Sequence, residues 1–331
     1  MTFPKFLVLG SNSFSGATFC AYLAQKGYDV IATSRSTEQH DAFLPYKWIE
    51  QKNIFRFIQV DINSDLDRLK SILISEKPTH IVNFAAQSMV GESWQHPDHW
   101  MITNVVSTVR LHEILRRYEN LERYVHVTTP EVYGPTSGWV SEGNFFNPST
   151  PYAVSRAASD MSLKTYFENY DFPVLFTRAA NVYGPGQQLY RIIPRTILAA
   201  ITAQKLILDG GGKSLRVFIY MDDVCDATLR VALFGIPGQT YHISGYELVS
   251  IRQCVEIILE LLGKSFDECV ELGPERPGKD SAYTLDSKKI RNELGWNENI
   301  SLKDGIVQVI SWMERYKSQL PNLPLKYIHK A

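Results

Sequence analysis

The sequence predicts an α/β protein built on a doubly wound, mostly parallel sheet. Three observations support this fold class. From residue 6 to about residue 185, short β-branched runs alternate with helical stretches, which is the order that builds a parallel sheet covered by helices on both faces. A turn with two glycines follows the first run and opens a helix. With 331 residues, of which 44% are hydrophobic, the chain can form one large core or two closely joined domains.

The elements divide into a regular first part and a less regular second part. The predicted strands of the sheet are Phe6–Gly10, Val30–Ser34, Phe55–Val60, His80–Ala85, Tyr124–Thr129 and Val174–Val182. After Pro185 we expect a helix near Ile193–Gln204, short strands at Leu206–Leu208 and Arg216–Tyr220, and a Gly/Pro-rich stretch at Gly273–Gly278. The prediction is a first domain over residues 1–185, to which later segments return, and a smaller, interleaved C-terminal α/β region over residues 186–331.

Composition excludes several classes of function. The net charge of −1 favours neither a nucleic-acid partner nor a membrane surface, and no apolar run approaches the ~20 residues of a spanning helix. The N-terminus leads directly into the first strand, which leaves no room for a signal peptide. The cysteines lack the spacing of a zinc site or a disulfide framework; they are Cys20, Cys225, Cys254 and Cys269. We expect no metal and a reduced, cytoplasmic location.

The turn after the first strand is the candidate cofactor site. Gly10 and Gly16 would let a pyrophosphate approach backbone N–H groups at the positive end of the next helix, with Ser13 and Phe14 between them. This arrangement is typical of Rossmann-type dinucleotide-binding domains. The 1–185 domain is therefore expected to bind a dinucleotide.

The end of the second strand indicates which dinucleotide. Ser34, Arg35 and Ser36 stand where an acidic residue would accept hydrogen bonds from an adenosine ribose. An arginine between two serines suits a 2′-phosphate instead, so NADP is favoured over NAD. After the fourth strand, the small residues Ala85 and Ala86 suit close passage of the cofactor.

Residues 129 to 156 contain the candidate catalytic group. Thr129 and Glu131 follow the fifth strand, and Tyr152 and Arg156 lie one turn apart on the next predicted helix, which Pro151 begins. A tyrosine acts as a base near pH 7 only if its pKa falls from about 10, and a fixed cation lowers it. A shift of three units corresponds to roughly 4 kcal/mol.

This layout resembles the active site of extended short-chain dehydrogenases/reductases that act on nucleotide sugars. The resemblance implies that Thr129 hydrogen-bonds a sugar oxygen and that Tyr152 takes its proton as hydride leaves for the nicotinamide. It also places Asp61 and Ile62 beside the adenine. Two positions depart from the pattern: Ser13 replaces the middle glycine, and Arg156 replaces the usual lysine, whose geometry it does not reproduce.

Glu131 favours the 4,6-dehydratase branch of that family. A C4 ketone acidifies the C5 hydrogen, and a carboxylate that removes this proton lets the C6 hydroxyl depart. The dTDP-glucose dehydratases have aspartate where this chain has Pro130, whereas GDP-mannose dehydratases lack that aspartate too. Three alternatives remain: a 4-epimerase, a uronic-acid decarboxylase, or a non-catalytic nucleotide-sugar-binding protein.

The same resemblance implies which residues bind the substrate and how the chains assemble. The residues it places against the nucleotide sugar are Gln87, Ser88, Asn181, Tyr190, Arg191, Arg216 and Arg276. Arginine forks suit a diphosphate because they bind it through two parallel hydrogen bonds. Family members pair through two long helices, here Trp100–Asn120 and Tyr152–Asn169, so a homodimer or higher homo-oligomer is expected by analogy. The nucleotide base is left open.

Overall fold

The computed structural model describes residues 3–50, 55–136, 138–274 and 284–330. The strands, in chain order, are β1 (Lys5–Leu9), β2 (Asp29–Ser34), β3 (Phe55–Gln59), β4 (His80–Asn83), β5 (Arg123–Val127), β6 (Trp139–Val140), β7 (Val174–Ala179), β8 (Asn181–Tyr183), β9 (Leu206–Asp209), β10 (Leu215–Tyr220), β11 (Thr240–Ile243), β12 (Leu248–Ser250), β13 (Val270–Gly273) and β14 (Thr284–Leu285). The helices are α1 (Phe14–Gln25), α2 (Leu66–Glu76), α3 (Val90–Ser93), α4 (Pro97–Met101), α5 (Thr108–Leu115), α6 (Pro151–Tyr170), α7 (Ile192–Ile201), α8 (Met221–Phe234), α9 (Ile251–Leu261), α10 (Phe266–Cys269), α11 (Lys288–Leu294) and α12 (Leu302–Arg315). A π-helix, Ile102–Ser107, joins α4 to α5, and short 3₁₀ helices lie at Asp41–Phe43, Pro45–Lys47, Pro130–Tyr133, Gly210–Gly212 and Leu320–Asn322.

A seven-stranded parallel sheet forms the centre of the fold, in the order β11-β7-β5-β4-β1-β2-β3. The strand order reverses at β1, which pairs with β2 on one side and β4 on the other. Open α/β sheets bind ligands beyond the carboxyl ends of the strands at such a reversal. The predicted fold class is confirmed, and the topology indicates where to look for the site.

Helices bury both faces of this sheet. In β1, Phe6 and Val8 join the core that α1 and α8 cover, whereas Leu7 and Leu9 join the core formed with α2, α5 and α6. All four side chains are at most 1% exposed. Burial on both faces explains why the strand is a continuous apolar run rather than an alternating one.

A second, smaller core lies beside the sheet. The strands β12, β10 and β8 form a three-stranded sheet, in which β8 runs parallel to β10 and β12 runs antiparallel to it. Tyr183 and Tyr220 pack there with apolar residues of α7, α9 and α12, such as Ile193, Ile258 and Trp312. Late segments also return to the central sheet, since β11 pairs with β7.

Two features differ from the sequence prediction. The expected single strand Val174–Val182 is wrong: the chain leaves the central sheet after Ala179, and β8 pairs with β10 instead. The physical reason is that the neighbouring strand β5 ends at Val127, opposite Thr177, so the backbone beyond finds a new partner. The central sheet also contains a seventh strand, β11, that was not predicted.

The predicted strand ends were also too long at the carboxyl edge. His80–Ala85 stops at Asn83, because the Asn83 side chain accepts a hydrogen bond from the N–H of Ala85 and closes a turn. Tyr124–Thr129 stops at Val127, because Thr129 caps the 3₁₀ helix that follows. Both turns direct the following residues towards the sheet edge.

None of the helices within the described ranges is long and apolar enough to cross a bilayer. The four cysteines are free thiols, and Cys269 is the partly exposed one among them.

Candidate active site

A large cleft opens at the carboxyl ends of β1, β2, β4 and β5. Its volume is about 1170 Å³, above the roughly 300–1,000 Å³ typical of a site for one small ligand. The predicted residues that line it are Gly10, Ser13, Phe14, Ser34, Arg35, Ser36, Asp61, Ile62, Ala85, Ala86, Gln87, Ser88, Thr129, Glu131, Tyr152, Arg156, Asn181, Tyr190, Arg191 and Arg216. Gly16 does not face the cleft, and Arg276 lies outside the described residues.

The glycine turn allows neighbouring backbone segments to approach each other closely. Gly10 has φ +84°, and a Cβ there would lie 2.6 Å from the backbone nitrogen of Ala85. A Cβ on Gly16 would lie 2.3 Å from the carbonyl oxygen of Gly10, so Gly16 lets α1 start directly against the turn. The Ser13 hydroxyl donates to the Gly10 carbonyl at 2.7 Å and accepts from the Gly16 N–H at 3.1 Å. Ser13 therefore caps α1, which answers how the loop manages without the middle glycine.

These features fit the pyrophosphate of a dinucleotide. The turn has no side-chain bulk at Gly10, and α1 starts at Phe14 with no acidic residue in its first turn. The positive end of a 12-residue helix therefore faces the cleft without a competing negative charge. The side-chain amide of Asn12 holds the turn in place by donating to the carbonyls of Ser36 and Thr37, each at 2.9 Å.

The loop after β2 forms part of the cleft wall. Arg35 lines the cleft, and its guanidinium donates to the carbonyl of Lys330 at 3.0 Å. The Gln59 side chain holds the backbone by donating to the Arg35 carbonyl at 2.9 Å. On the neighbouring strand edge, Asp61 accepts from the N–H of Asn63 and so shapes the turn beside Ile62.

Thr129, Glu131 and Tyr152 meet on one wall of the cleft. Thr129 follows β5 and accepts a hydrogen bond from the N–H of Glu131 at 3.3 Å. Thr150 caps α6 by accepting from Ala153, and Pro151 occupies its first turn, which brings Tyr152 to the helix start. Thr129 and the Glu131 carboxylate both lie close enough to Tyr152 to influence the ionisation of its phenol.

The environment of Tyr152 raises its pKa above 10, chiefly because burial disfavours the phenolate. Glu131 raises the pKa further, whereas Arg156, Thr129 and Arg191 lower it. The cation one turn along the helix therefore acts in the predicted direction. The effect of Arg156 on the pKa of Tyr152 is smaller than the effect of burial.

Arg156 is almost entirely buried, with 2% of its surface exposed. Its guanidinium donates to the Val127 carbonyl and lies 3.3 Å from Nε2 of His126. Burial, followed by Arg156, lowers the pKa of His126 well below its usual value, so this imidazole is neutral. The arginine is thus anchored to the end of β5 from below the cleft, which a shorter lysine would not match.

A buried ion pair supports this part of the site. Asp160 of α6 accepts from Arg178 of β7 at 2.8 Å and from the hydroxyl of Thr128 at 2.9 Å. Arg178 also donates to the hydroxyl of Tyr133, which contacts Nε2 of His242 at 2.8 Å. These groups lock the catalytic helix to the sheet.

Asn104 is a site residue that the sequence analysis missed. It lies in the π-helix and is fully buried. Its amide donates to the Gln87 carbonyl at 3.0 Å and to the Ser155 hydroxyl at 2.9 Å, and its oxygen accepts from the Gln87 N–H. Asn104 therefore ties the loop after β4 to the catalytic helix. A π-turn often marks a functional position, but no spacing in the sequence reveals it.

The part of the cleft that β8, β10 and the start of α7 line is polar and basic. Asn181 donates to the Val217 carbonyl at 3.2 Å, which fixes it at the junction of β8 and β10. Arg191 precedes α7, contacts the sulfur of Met89 at 3.4 Å and lies over the ring of Tyr190. Arg216 lies on β10 and lines the same cleft. Two guanidinium groups on one wall suit an anionic ligand.

The sequence analysis also missed the end of the chain. Five described residues beyond the last helices line the cleft, and they are Pro324, Lys326, Tyr327, Ile328 and Lys330. The Lys330 carbonyl accepts from the side-chain amide of Gln87 at 2.6 Å. No motif marks this segment, so only the fold reveals its position.

Comparison with known proteins agrees with this arrangement. The sequence model of the family described as GDP-mannose 4,6 dehydratase matches residues 7–309. A dTDP-glucose 4,6-dehydratase of Xanthomonas campestris pv. campestris is 31% identical over 324 residues, which cover 92% of this chain and 92% of that protein.

Solved structures give the same result. A double mutant of DesIV, a dTDP-glucose 4,6-dehydratase of Streptomyces venezuelae with NAD and DAU bound, matches with a TM-score of 0.87 at 31% identity, over 97% of this chain and 100% of that chain. A UDP-glucuronic acid 4-epimerase of Bacillus cereus, in complex with UDP-glucuronic acid and NAD, has a TM-score of 0.85 at 26% identity, over 94% and 99%. The chain therefore belongs to the nucleotide-sugar 4,6-dehydratases, a branch of the extended short-chain dehydrogenases/reductases.

Proposed function

We propose that this enzyme removes water from a nucleotide-linked hexose and releases a 4-keto-6-deoxy nucleotide sugar. The observation that carries the proposal is the meeting of Glu131 with Thr129 and Tyr152 on one wall of the cleft. A hydroxyl and a phenol suffice for oxidation and reduction at C4. The additional carboxylate supplies the base that a dehydration requires.

The first step uses Thr129 and Tyr152. Thr129 hydrogen-bonds the O4 hydroxyl of the sugar, and Tyr152 accepts the O4 proton while the C4–H bond breaks. A bound nicotinamide dinucleotide supplies the redox chemistry, because it accepts the hydride from C4 and later returns it to C6. Arg156 favours the phenolate form of Tyr152 by lowering its pKa.

The second step uses Glu131. The C4 ketone acidifies C5, and Glu131 takes the C5 proton as the C6–O bond breaks and a C5–C6 double bond forms. Pro130 has no proton to give, so the hydroxide leaves as water with the proton that Glu131 has just taken. Hydride addition to C6 and a solvent proton at C5 complete the product, and the O4 proton returns to solvent from Tyr152. The net change is the loss of one water.

The test is a panel of GDP-, dTDP-, UDP- and CDP-linked hexoses and hexuronic acids, with the products analysed by mass spectrometry. The proposal predicts a product lighter by one water from a hexose substrate. An epimer of unchanged mass or release of carbon dioxide would identify the 4-epimerase or decarboxylase alternatives. Ligand binding without turnover across the panel would identify a non-catalytic binding protein.

We propose NADP rather than NAD as the cofactor. Arg35 lies at the end of β2 with Ser34 and Ser36, and all three line the cleft. A guanidinium there suits a 2′-phosphate. The two dissociation constants, compared between the wild type and Arg35→Ala, test this proposal. NADP should bind to the wild type more tightly than NAD does, and Arg35→Ala should weaken NADP binding about tenfold more than it weakens NAD binding. Equal affinities in the wild type would overturn it.

We assign cofactor binding to residues 1–185 together with β11, and nucleotide-sugar binding mainly to residues 186–331. Arg191 and Arg216 support the second assignment because both residues line the cleft and carry positive charge. Arg276 stays a predicted substrate contact. Charge removal at Arg191 or Arg216 should raise the KM for the sugar nucleotide more than it raises the dissociation constant of the cofactor. We also propose the cytoplasm as the compartment, because the four cysteines are free.

A homodimer is the proposed assembly. The helical stretch from Pro97 to Leu115 packs beside α6, and exposed apolar side chains lie on both. They are Ile102 (47% exposed), Val106 (43%), Val154 (40%) and Met161 (58%). Leu163, by contrast, is fully buried in the core. Light scattering should give twice the chain mass, and Met161→Glu with Val106→Glu should give the monomer.

A further inference from the structure

The last described residues cross the mouth of the cleft. Leu323 is buried in the second core and fixes the start of the C-terminal segment, residues 324–330. From there the chain reaches the cleft, where Tyr327 lies edge-on to Tyr190 with ring centroids 6.2 Å apart. The segment therefore starts from a fixed point and ends among the predicted site residues.

The end of the segment bridges the two sides of the cofactor path. The carbonyl of Lys330 accepts from Arg35, beyond β2, and from Gln87, beyond β4. Because β1 lies between β2 and β4 in the sheet, this carbonyl sits across the glycine turn. A dinucleotide that follows the carboxyl ends of these strands must pass close to it.

His329 adds a second attachment. Its ring lies nearly parallel to those of His96, His99 and Trp100, with centroids 5.1 Å, 5.1 Å and 5.2 Å away. Nε2 of His329 is 2.8 Å from Nδ1 of His99. Among the described residues, no group of three His, Cys, Asp or Glu side chains is arranged to hold a metal, so the contact is one of ring packing and a hydrogen bond.

The segment covers the cleft and does not fill it. With the segment in place the cleft still has about 1170 Å³, more than the roughly 300–1,000 Å³ of a site for one small ligand. Gly10, Ser13 and Arg156 still face that space together with Tyr327 and Lys330. The geometry is that of a roof over the glycine turn.

We propose that the C-terminal segment is the roof of the cofactor site and retains the dinucleotide between turnovers. The inference rests on the proposed function, in which hydride leaves C4 and returns to C6, so the cofactor ends each cycle in its starting form and has no need to leave. A roof that slows the release of the dinucleotide therefore does not slow turnover. Lys330, His329 and Tyr327 are the contacts that hold it closed.

The test is the dissociation rate of the reduced dinucleotide. It is followed by nicotinamide fluorescence after mixing with an excess of the oxidised dinucleotide as competitor. Two variants open the roof: a chain that ends at Leu323, and Tyr327→Ala/His329→Ala in the full chain. Leu325→Ala is the matched control, because Leu325 is 48% exposed and does not line the cleft. Circular dichroism establishes that each variant is folded.

Both opened variants should release the dinucleotide about tenfold faster or more, as the loss of several hydrogen bonds and ring contacts requires. Leu325→Ala should match the wild type. A rate within twofold of wild type in the folded truncated chain, or a slower rate, would overturn the proposal. Product analysis tests the proposed function separately. Faster release from the opened variants, with no dehydrated sugar product from the wild type, would contradict the dehydration and still support the role of the C-terminal segment.

Discussion

At the scale of single residues, Arg156 is the position on which the chemistry depends most. The resemblance implies a lysine, and the structure shows how an arginine can stand there: its guanidinium reaches past Tyr152 to the Val127 carbonyl and to His126. One consequence is that the positive charge is held rigidly below the cleft. The charge lowers the pKa of Tyr152 against the larger effect of burial, which raises it.

Removal of this charge should shift the pH profile of the reaction upwards. In Arg156→Met the pKa of Tyr152 loses a lowering influence, so the phenolate forms only at higher pH. The value of kcat/KM near neutral pH should fall about tenfold for each unit of the shift. A pH series of kcat/KM measures it. Arg156→Lys is the control that keeps the charge and should shift less. Identical profiles for Arg156→Met and the wild type would contradict this role.

Sequence reasoning found the side chains that have a chemical signature. Thr129, Glu131 and Tyr152 could be named because their residue types and spacing are those of the chemistry. Asn104 could not, because its function depends on a π-turn that brings its amide to Gln87 and Ser155. Ser13 could be named as a departure from the glycine pattern, but its capping of α1 could not be predicted. Such roles depend on backbone geometry rather than on residue type.

At the scale of elements, the buried pair between α6 and β7 holds the catalytic helix on the sheet. Asp160 and Arg178 are 1% exposed each and 2.8 Å apart. Asp160 also accepts from Thr128, one residue before Thr129. The position of Tyr152 relative to Thr129 therefore depends on this pair.

Asp160→Ala should destabilise the fold by about 3–5 kcal/mol, because it leaves the Arg178 guanidinium buried without its carboxylate. Chemical denaturation of the two proteins measures the difference. The control is Glu256→Ala, which breaks the exposed pair with Arg252, 43% and 45% exposed, and should change the free energy of unfolding by less than about 1 kcal/mol. A similar small effect for both would show that the buried pair does not hold α6.

The elements themselves were predictable where periodicity is strong. The central strands are continuous apolar runs because helices cover both faces, and six of them were located from this pattern. The end of β7 was not, since the switch of partner from β5 to β10 is a long-range event that local sequence does not encode. The seventh strand, Thr240–Ile243, was also missed; it pairs with β7, more than sixty residues earlier in the chain.

At the scale of the whole molecule, the C-terminal segment links the end of the chain to the site, and this link should respond to pH. Burial, followed by His96, His99 and Arg35, lowers the pKa of His329 from its ordinary value of 6.5, while Glu92 opposes them. Asp98, 3.8 Å from His99, also faces the stack, and the segment itself carries Lys326 and Lys330.

The C-terminal segment therefore docks more favourably when His329 is neutral. Docking is fully favourable above pH 6.5 and weakens as the pH falls below it, because the undocked segment then takes up the proton. Dinucleotide release should accelerate as the pH falls below about 6.5. The dissociation rate measured across this range, with His329→Gln as the control that removes the titrating group, tests the sign. A wild-type dissociation rate that does not change with pH, or that changes as it does in His329→Gln, would refute a role for His329 in this pH dependence.

The central claim is that hydride leaves C4 and returns to C6 of the same sugar. The most direct measurement uses a nucleotide hexose that carries deuterium at C4, with the product examined by NMR. The account predicts deuterium in the C6 methyl group of a 4-keto product. Deuterium recovered at C4, as an epimerase or a decarboxylase would leave it, would contradict the account.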